Sequence, residues 1–128
     1  MDCLFDTHTF IWWVTNDSKL SETVGAILSD PSNTIYFSAA IAWEIAIKAQ
    51  LGKLKIDEEP APFIDGELAK NRFQPLAINV RHAVQTYSLP LLHRDPFDRL
   101  LVTQCIVENL PILTTDPLIA KYGVRTIW

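Results

Sequence analysis

A chain of 128 residues has the length of one domain and enough material for a real core. With 48% apolar and 20% charged residues it does not read as disordered, and no run approaches the ~18 uninterrupted apolar residues of a membrane span. A net charge of −4 and a pI near 5.2 argue against gripping nucleic acid by bulk electrostatics, yet they allow an enzyme that meets phosphates through bound divalent cations.

The apolar start, residues 1–14, carries no basic leader and is interrupted by Asp6 and His8, so it reads as a strand and a helix rather than a signal peptide. Cys3 and Cys105 lie in apolar surroundings without C-x-x-C or zinc spacing, which predicts two core thiols in a reducing compartment. A cytoplasmic location is expected.

Short apolar runs alternate with amphipathic stretches, the βαβα signature of a parallel sheet covered by helices. The expectation is one α/β domain, residues 1–128, with a central, mainly parallel sheet. Residues 3–6 form a first strand, and Thr7 caps a helix through Phe10, Ile11 and Val14. Ser21 and Glu22 open a second helix that stops before Asp30 and Pro31. Residues 34–38 are rich in β-formers and make strand two. Residues 39–51 carry Ile41, Ile45 and Leu51 at helical spacing and end at Gly52. A helix over 62–70 turns Phe63, Ile64 and Leu68 inward, and 75–78 is a short strand. Asn79 caps a helix through Val80, Val84 and Tyr87. Asp95 followed by Pro96 is an N-cap with proline at N1, so a helix runs from there to about Glu108. A strand at 111–114, a short helix ending at Gly123 and an edge strand at 124–128 complete the chain.

Four acids fall at matching positions in this plan. Asp6 ends strand one, Asp116 follows the strand at 111–114, and Glu44 and Asp98 lie in the first turns of their helices. In an open parallel sheet the strand ends and following helix starts share one rim, where ligands bind. Carboxylates gathered there repel one another unless cations join them, and oxygen-only ligands suit Mg²⁺, with Mn²⁺ as a substitute. Such an ion activates water and stabilises the leaving oxygen of a phosphodiester, so phosphoester hydrolysis is the expected chemistry.

Each acid also has an ordinary structural reading. Asp98 can serve as a capping-box acid after Asp95, Glu44 can pair with Lys48 at i,i+4, and Asp116 can simply cap a helix. Asp6 resists this, because an acid ending an apolar strand buries charge unless something compensates it. Trp12, Trp13 and Trp43 are expected in the core or an interface rather than as base-stacking platforms. His8 and His93 are read chiefly as loop histidines. Lys48, Arg94 and Arg99 are candidate contacts for a phosphate backbone, while Arg94 and Arg99 can equally pair with nearby acids.

The stretches Leu4-Phe5-Asp6-Thr7-His8, Ser38-Ala39-Ala40-Ile41-Ala42-Trp43-Glu44-Ile45, Arg94-Asp95-Pro96-Phe97-Asp98-Arg99-Leu100-Leu101 and Thr114-Thr115-Asp116 resemble the PIN-domain nucleases. Within that family they are similar to the VapC-type toxins of bacterial toxin–antitoxin pairs. The resemblance implies a three-layer α/β/α domain, Mg²⁺- or Mn²⁺-dependent endoribonuclease activity, a homodimer and a cognate antitoxin. It carries the acidic site onto Asp6, Glu44, Asp98 and Asp116, with Asp6 and Asp98 as the first metal ligands and Asp95 the rival for the third position. Two other functions compete. Phe5-Asp6-Thr7-His8-Thr9 faintly matches the Asp-x-Asp-x-Thr loop of aspartyl-phosphate phosphatases, although His8 replaces the second acid and Glu44 gains no role. A non-catalytic binding module requires that the four acids be dispersed.

Overall fold

The structure is a computed structural model describing residues 1–128. Five strands, β1 (Asp2–Phe5), β2 (Thr34–Ser38), β3 (Gln74–Leu76), β4 (Ile112–Leu113) and β5 (Thr126–Ile127), form one sheet in the order β3-β2-β1-β4-β5. Every neighbouring pair is parallel; Leu4 aligns with Tyr36 on one side and with Ile112 on the other. Seven helices flank the sheet: α1 (Thr7–Val14), α2 (Glu22–Ser29), α3 (Ala39–Gln50), α4 (Pro60–Asn71), α5 (Val80–Gln85), α6 (Pro96–Glu108) and α7 (Pro117–Ala120).

The central strand shows why the sheet is parallel and covered. Cys3, Leu4 and Phe5 are all fully buried, since β1 meets helices on both faces and has no solvent side to alternate with. Phe5, Phe10, Phe37 and Phe73 pack edge to face around it, with centroids 4.9–6.1 Å apart for the T-shaped pairs. Cys3 and Cys105 are free, buried thiols within this core. Burial pushes their pKa values up to about 11 and about 12, so neither forms thiolate at ordinary pH. A thiol reagent at pH 8 is therefore expected to leave the native protein unmodified and to label both cysteines in guanidinium; rapid native labelling would contradict this packing.

The chain winds outward from β1 through β2 to β3, then returns to the other side of β1 for β4 and β5. The reversal puts the topological switch point between β1 and β4, the place where open parallel sheets bind ligands beyond the strands' carboxyl ends.

Several local expectations need correction. Asp6, not Thr7, is the N-cap of α1, because the Asp6 carboxylate accepts the Thr9 backbone N–H. Strand β3 begins one residue earlier and ends sooner than expected, and β5 is only two residues long. Helix α5 ends at Gln85 and passes into a 3₁₀ turn, Thr86–Ser88. Its inward residue is His82; Val80, Val84 and Tyr87 face solvent. His82 closes a capping box on Asn79 and reaches Glu108 at 2.9 Å, so polar bonds rather than apolar packing fix that helix's rotation.

Candidate active site

Asp6 follows directly on β1 and is only 4% exposed. A carboxylate so buried needs donors, and three surround it. Oδ1 accepts the Thr9 N–H at 2.9 Å and the Thr9 hydroxyl at 2.6 Å; Oδ2 accepts the Thr114 hydroxyl at 2.5 Å. Thr114 also uses its hydroxyl oxygen to accept the Asp116 N–H at 3.0 Å. One threonine at the end of β4 thus links two of the acids.

Glu44 sits in the second turn of α3, 3% exposed. The Thr7 hydroxyl donates to Oε1 at 2.6 Å and the Lys48 ammonium to Oε2 at 2.5 Å. The i,i+4 pair read from the sequence is present, yet it does not account for the burial of Glu44 beside Thr7. The Glu44 bond raises the Lys48 pKa above its ordinary value, with Asp95 and Asp98 adding to the effect.

Asp95 and Asp98 divide two tasks that the sequence left entangled. Asp95 is the N-cap of α6, its Oδ1 accepting the N–H groups of Phe97 and Asp98. Capping done, the Asp98 side chain is directed elsewhere and meets the imidazole of His93, Oδ2 to Nε2, at 3.1 Å. Burial is the main cause that pushes its pKa up to about 7; repulsion from Asp95, Asp6 and Glu44 adds to the rise and His93 opposes it. Those three carboxylates are thus close enough for Asp98 to feel their charge.

Asp116 caps α7 with Oδ1, which accepts the Leu118 N–H, and offers Oδ2 to His93 Nε2 at 2.9 Å. His93 is the residue that sequence reasoning undervalued. Its Nδ1 accepts the Asp95 N–H at 3.1 Å, which places the ring proton on Nε2. The imidazole therefore donates to Asp116 and lies against the Asp98 carboxylate, keeping the two acids adjacent. The His93, Asp98 and Asp116 ligand atoms lie within 4.8 Å of one another. To ligate a metal through Nε2, however, His93 would have to move its proton to a nitrogen that faces an N–H donor. The donor set offered to a cation is accordingly the carboxylates, and hard oxygen donors in excess over nearby ammonium groups fit Mg²⁺ or Mn²⁺. A three-residue segment, His93-Arg94-Asp95, preceding the Asp98 helix was the available signal for the role of His93.

The helices carrying Glu44 and Asp98 are joined by a fully buried polar bond. Ser38, the N-cap of α3, donates its hydroxyl to Gln104 Oε1 at 2.5 Å, and Gln104 Nε2 donates to the Ala77 carbonyl at 3.2 Å. This bolt fixes α3 against α6 and both against the segment after β3.

The candidate cations part company. Arg99 donates to the Pro90 and Thr86 carbonyls and to the Tyr122 hydroxyl at 3.0–3.1 Å, an anchoring role that engages its guanidinium. Its partners are neutral oxygens rather than the acids expected as the alternative. Lys48 is tied to Glu44 with a side chain 41% exposed, and Arg94 is exposed. Of the tryptophans, Trp13 packs against the core and donates its N–H to Asn71, whereas Trp43 is 56% exposed and so is no core residue.

Taken together, the structure is a parallel α/β sheet with acids from four segments, Asp6, Glu44, Asp98 and Asp116, placed at strand ends and helix starts around its switch point. The sequence profile of the PIN domain matches residues 3–124, and the chain belongs to that family. Ribonuclease VapC16 of Mycobacterium tuberculosis (strain ATCC 25618 / H37Rv) is 40% identical over 57 residues, 44% of this chain and 40% of that relative's length. Among solved structures, VapBC2 from Rickettsia felis bound to a DNA fragment from its promoter superposes with a TM-score of 0.74 at 15% identity, covering 100% of this chain and 99% of the other. VapBC-1 from nontypeable Haemophilus influenzae gives 0.65 at 17% identity, covering 99% and 97%. These structural likenesses are likenesses of fold. The phosphatase reading had no place for Glu44, which here is bound to Thr7, the neighbour of Asp6.

Proposed function

We propose that this chain is a divalent-cation-dependent endoribonuclease and the toxin half of a toxin–antitoxin pair. The observation that carries the reading is the linkage of the acids. Asp6 is joined through Thr114 to Asp116, Asp116 in turn meets Asp98 across His93, and Glu44 is bound by Thr7, the residue after Asp6. So many carboxylates brought together at a switch point have one obvious use, which is to hold Mg²⁺ or Mn²⁺ against a phosphate. The ion, when bound, supplies an activated water and stabilises the leaving oxygen.

The chain's own residues prepare that site. Thr9 and Thr114 orient Asp6, Lys48 and Thr7 hold the Glu44 carboxylate in place, and His93 keeps Asp98 and Asp116 adjacent. Lys48 and Arg94 are the proposed RNA contacts, and Arg99 holds the surrounding loop. The relative named a ribonuclease supports the RNA substrate, the likeness of fold to the VapBC structures is in keeping with an antitoxin partner, and a cytoplasmic setting belongs to the same reading. A homodimer belongs to the same reading, and the exposed Val80, Val84 and Tyr87 are surface for such a contact. Sedimentation showing a monomer at tens of micromolar would remove it.

Incubating the purified protein with tRNA, rRNA fragments and mRNA in Mg²⁺, Mn²⁺ or EDTA tests the activity. Discrete endonucleolytic products with either metal, absent in EDTA, are expected. Cleavage that persists in EDTA sinks the metal site, and no cleavage of any RNA sinks the nuclease.

A further inference from the structure

Beside the acids lies an aromatic pair that the proposed chemistry does not use. Trp43 precedes the buried Glu44 on α3, and Phe97 precedes Asp98 on α6. Their rings meet edge to face, centroids 5.1 Å apart and planes at 83°, so each fixes the orientation of the other. Phe97 is half-buried, while Trp43 leaves 56% of its surface open to solvent. The two helices are locked by the Ser38–Gln104 bond, so the pair is held at a fixed position relative to the acids.

We infer that Trp43, braced by Phe97, is a stacking shelf for an unpaired nucleobase next to the phosphate that the acids engage. The inference rests on the nuclease reading and adds to it a residue that positions the substrate. Three features favour a base over a second copy of the chain as occupant. Both aromatics directly precede site acids on their helices, so the shelf lies one residue from Glu44 and one from Asp98 along the chain. The Lys48 ammonium lies on the same helix, one turn beyond Glu44, where a phosphodiester attached to a stacked base can meet it. Stacking is also a way for an acidic protein to bind RNA without a basic field, since it takes its affinity from π-faces rather than charge.

Binding can be measured apart from cleavage. The ligands are fluorescein-labelled 2′-O-methyl oligoribonucleotides, single-stranded, duplex, and single-stranded with all bases replaced by abasic sites, titrated by anisotropy in EDTA. Wild type is expected to prefer the single strand. Trp43→Ala should weaken that binding by on the order of 5- to 100-fold, the range of one base–aromatic stack, and Trp43→Phe should retain most of it. Removing the bases should cost wild type a similar factor and cost Trp43→Ala little more, because the same contact is lost only once. Undiminished binding by Trp43→Ala overturns the shelf, as does a full additional loss with the abasic ligand, or no binding of single strands by wild type. A shift from dimer to monomer on Trp43→Ala, seen by sedimentation, overturns it in favour of an interface between copies. Intact binding with no cleavage of unmodified RNA in Mg²⁺ or Mn²⁺ would instead remove the nuclease reading and leave the shelf standing.

Discussion

Asp98→Asn and Asp6→Asn are each expected to reduce metal-dependent RNA cleavage by about 10²–10³-fold or more, since loss of a single electrostatic contact to a developing charge costs that much. Both substitutions keep side-chain volume and remove one negative charge. In Asp6→Asn the amide still has an oxygen for the Thr9 N–H, but its NH₂ group faces a threonine hydroxyl that now donates to a carboxylate. In Asp98→Asn the amide oxygen can still face His93 Nε2, whose own hydrogen bond goes to Asp116. The fold should therefore survive in both, most easily in Asp98→Asn. Circular dichroism and initial rates on one RNA substrate, with Mg²⁺ or Mn²⁺, are the measurements. Wild-type rates in a folded Asp98→Asn protein would move the site to Asp95 or end the metal reading.

The same substitution should stabilise the metal-free protein. Folding raises the Asp98 pKa from 3.8 to about 7, so between those values the native state holds a proton that the unfolded chain has released. Stability contributed by this group is thus full below about pH 4 and is lost as pH rises towards 7; above 7 the ionised, buried acid is a net penalty. A shift of that size corresponds to a ceiling of about 4 kcal/mol, and the side chain is only 16% exposed, so solvent screens little of it. Asp98→Asn has no charge to bury. In EDTA at pH 8 it should melt several degrees above wild type, and the difference should close as pH falls to 4. Mg²⁺ should raise the wild-type melting temperature more than that of the variant, because a ligand that binds only the native state stabilises it. Equal melting curves at pH 8 in EDTA would contradict the crowding of acids around Asp98.

Asp98 also shows what could be read without coordinates. The apolar run of residues 3–6, the β-formers of 34–38 and the Asp95-Pro96 start signal each depend on interactions within a few residues, and each yielded an element within a residue or two of the one observed. The rim followed from the same elements, because alternating strands and helices in a parallel sheet leave few topologies. Reading Val80, Val84 and Tyr87 as a helix's apolar pattern failed for the opposite reason. Which face of a short helix turns inward depends on what lies opposite, and there His82 finds Asn79 and Glu108.

The sequence by itself thus determined the α/β class, most element boundaries and the placement of the four acids at strand ends and helix starts, since caps, propensities and strand ends are local physics. Only the tertiary structure decided how those acids are held. The hydroxyls of Thr7, Thr9 and Thr114 satisfy buried carboxylates, His93 lies between Asp98 and Asp116, and Arg99 is drawn to the carbonyls of Thr86 and Pro90. Most of these bonds join residues 13 to 108 positions apart in the chain. Threonine, histidine and arginine carry no local mark of such a partner. Their roles arise because the folded chain must supply a donor or acceptor for every polar group it removes from water.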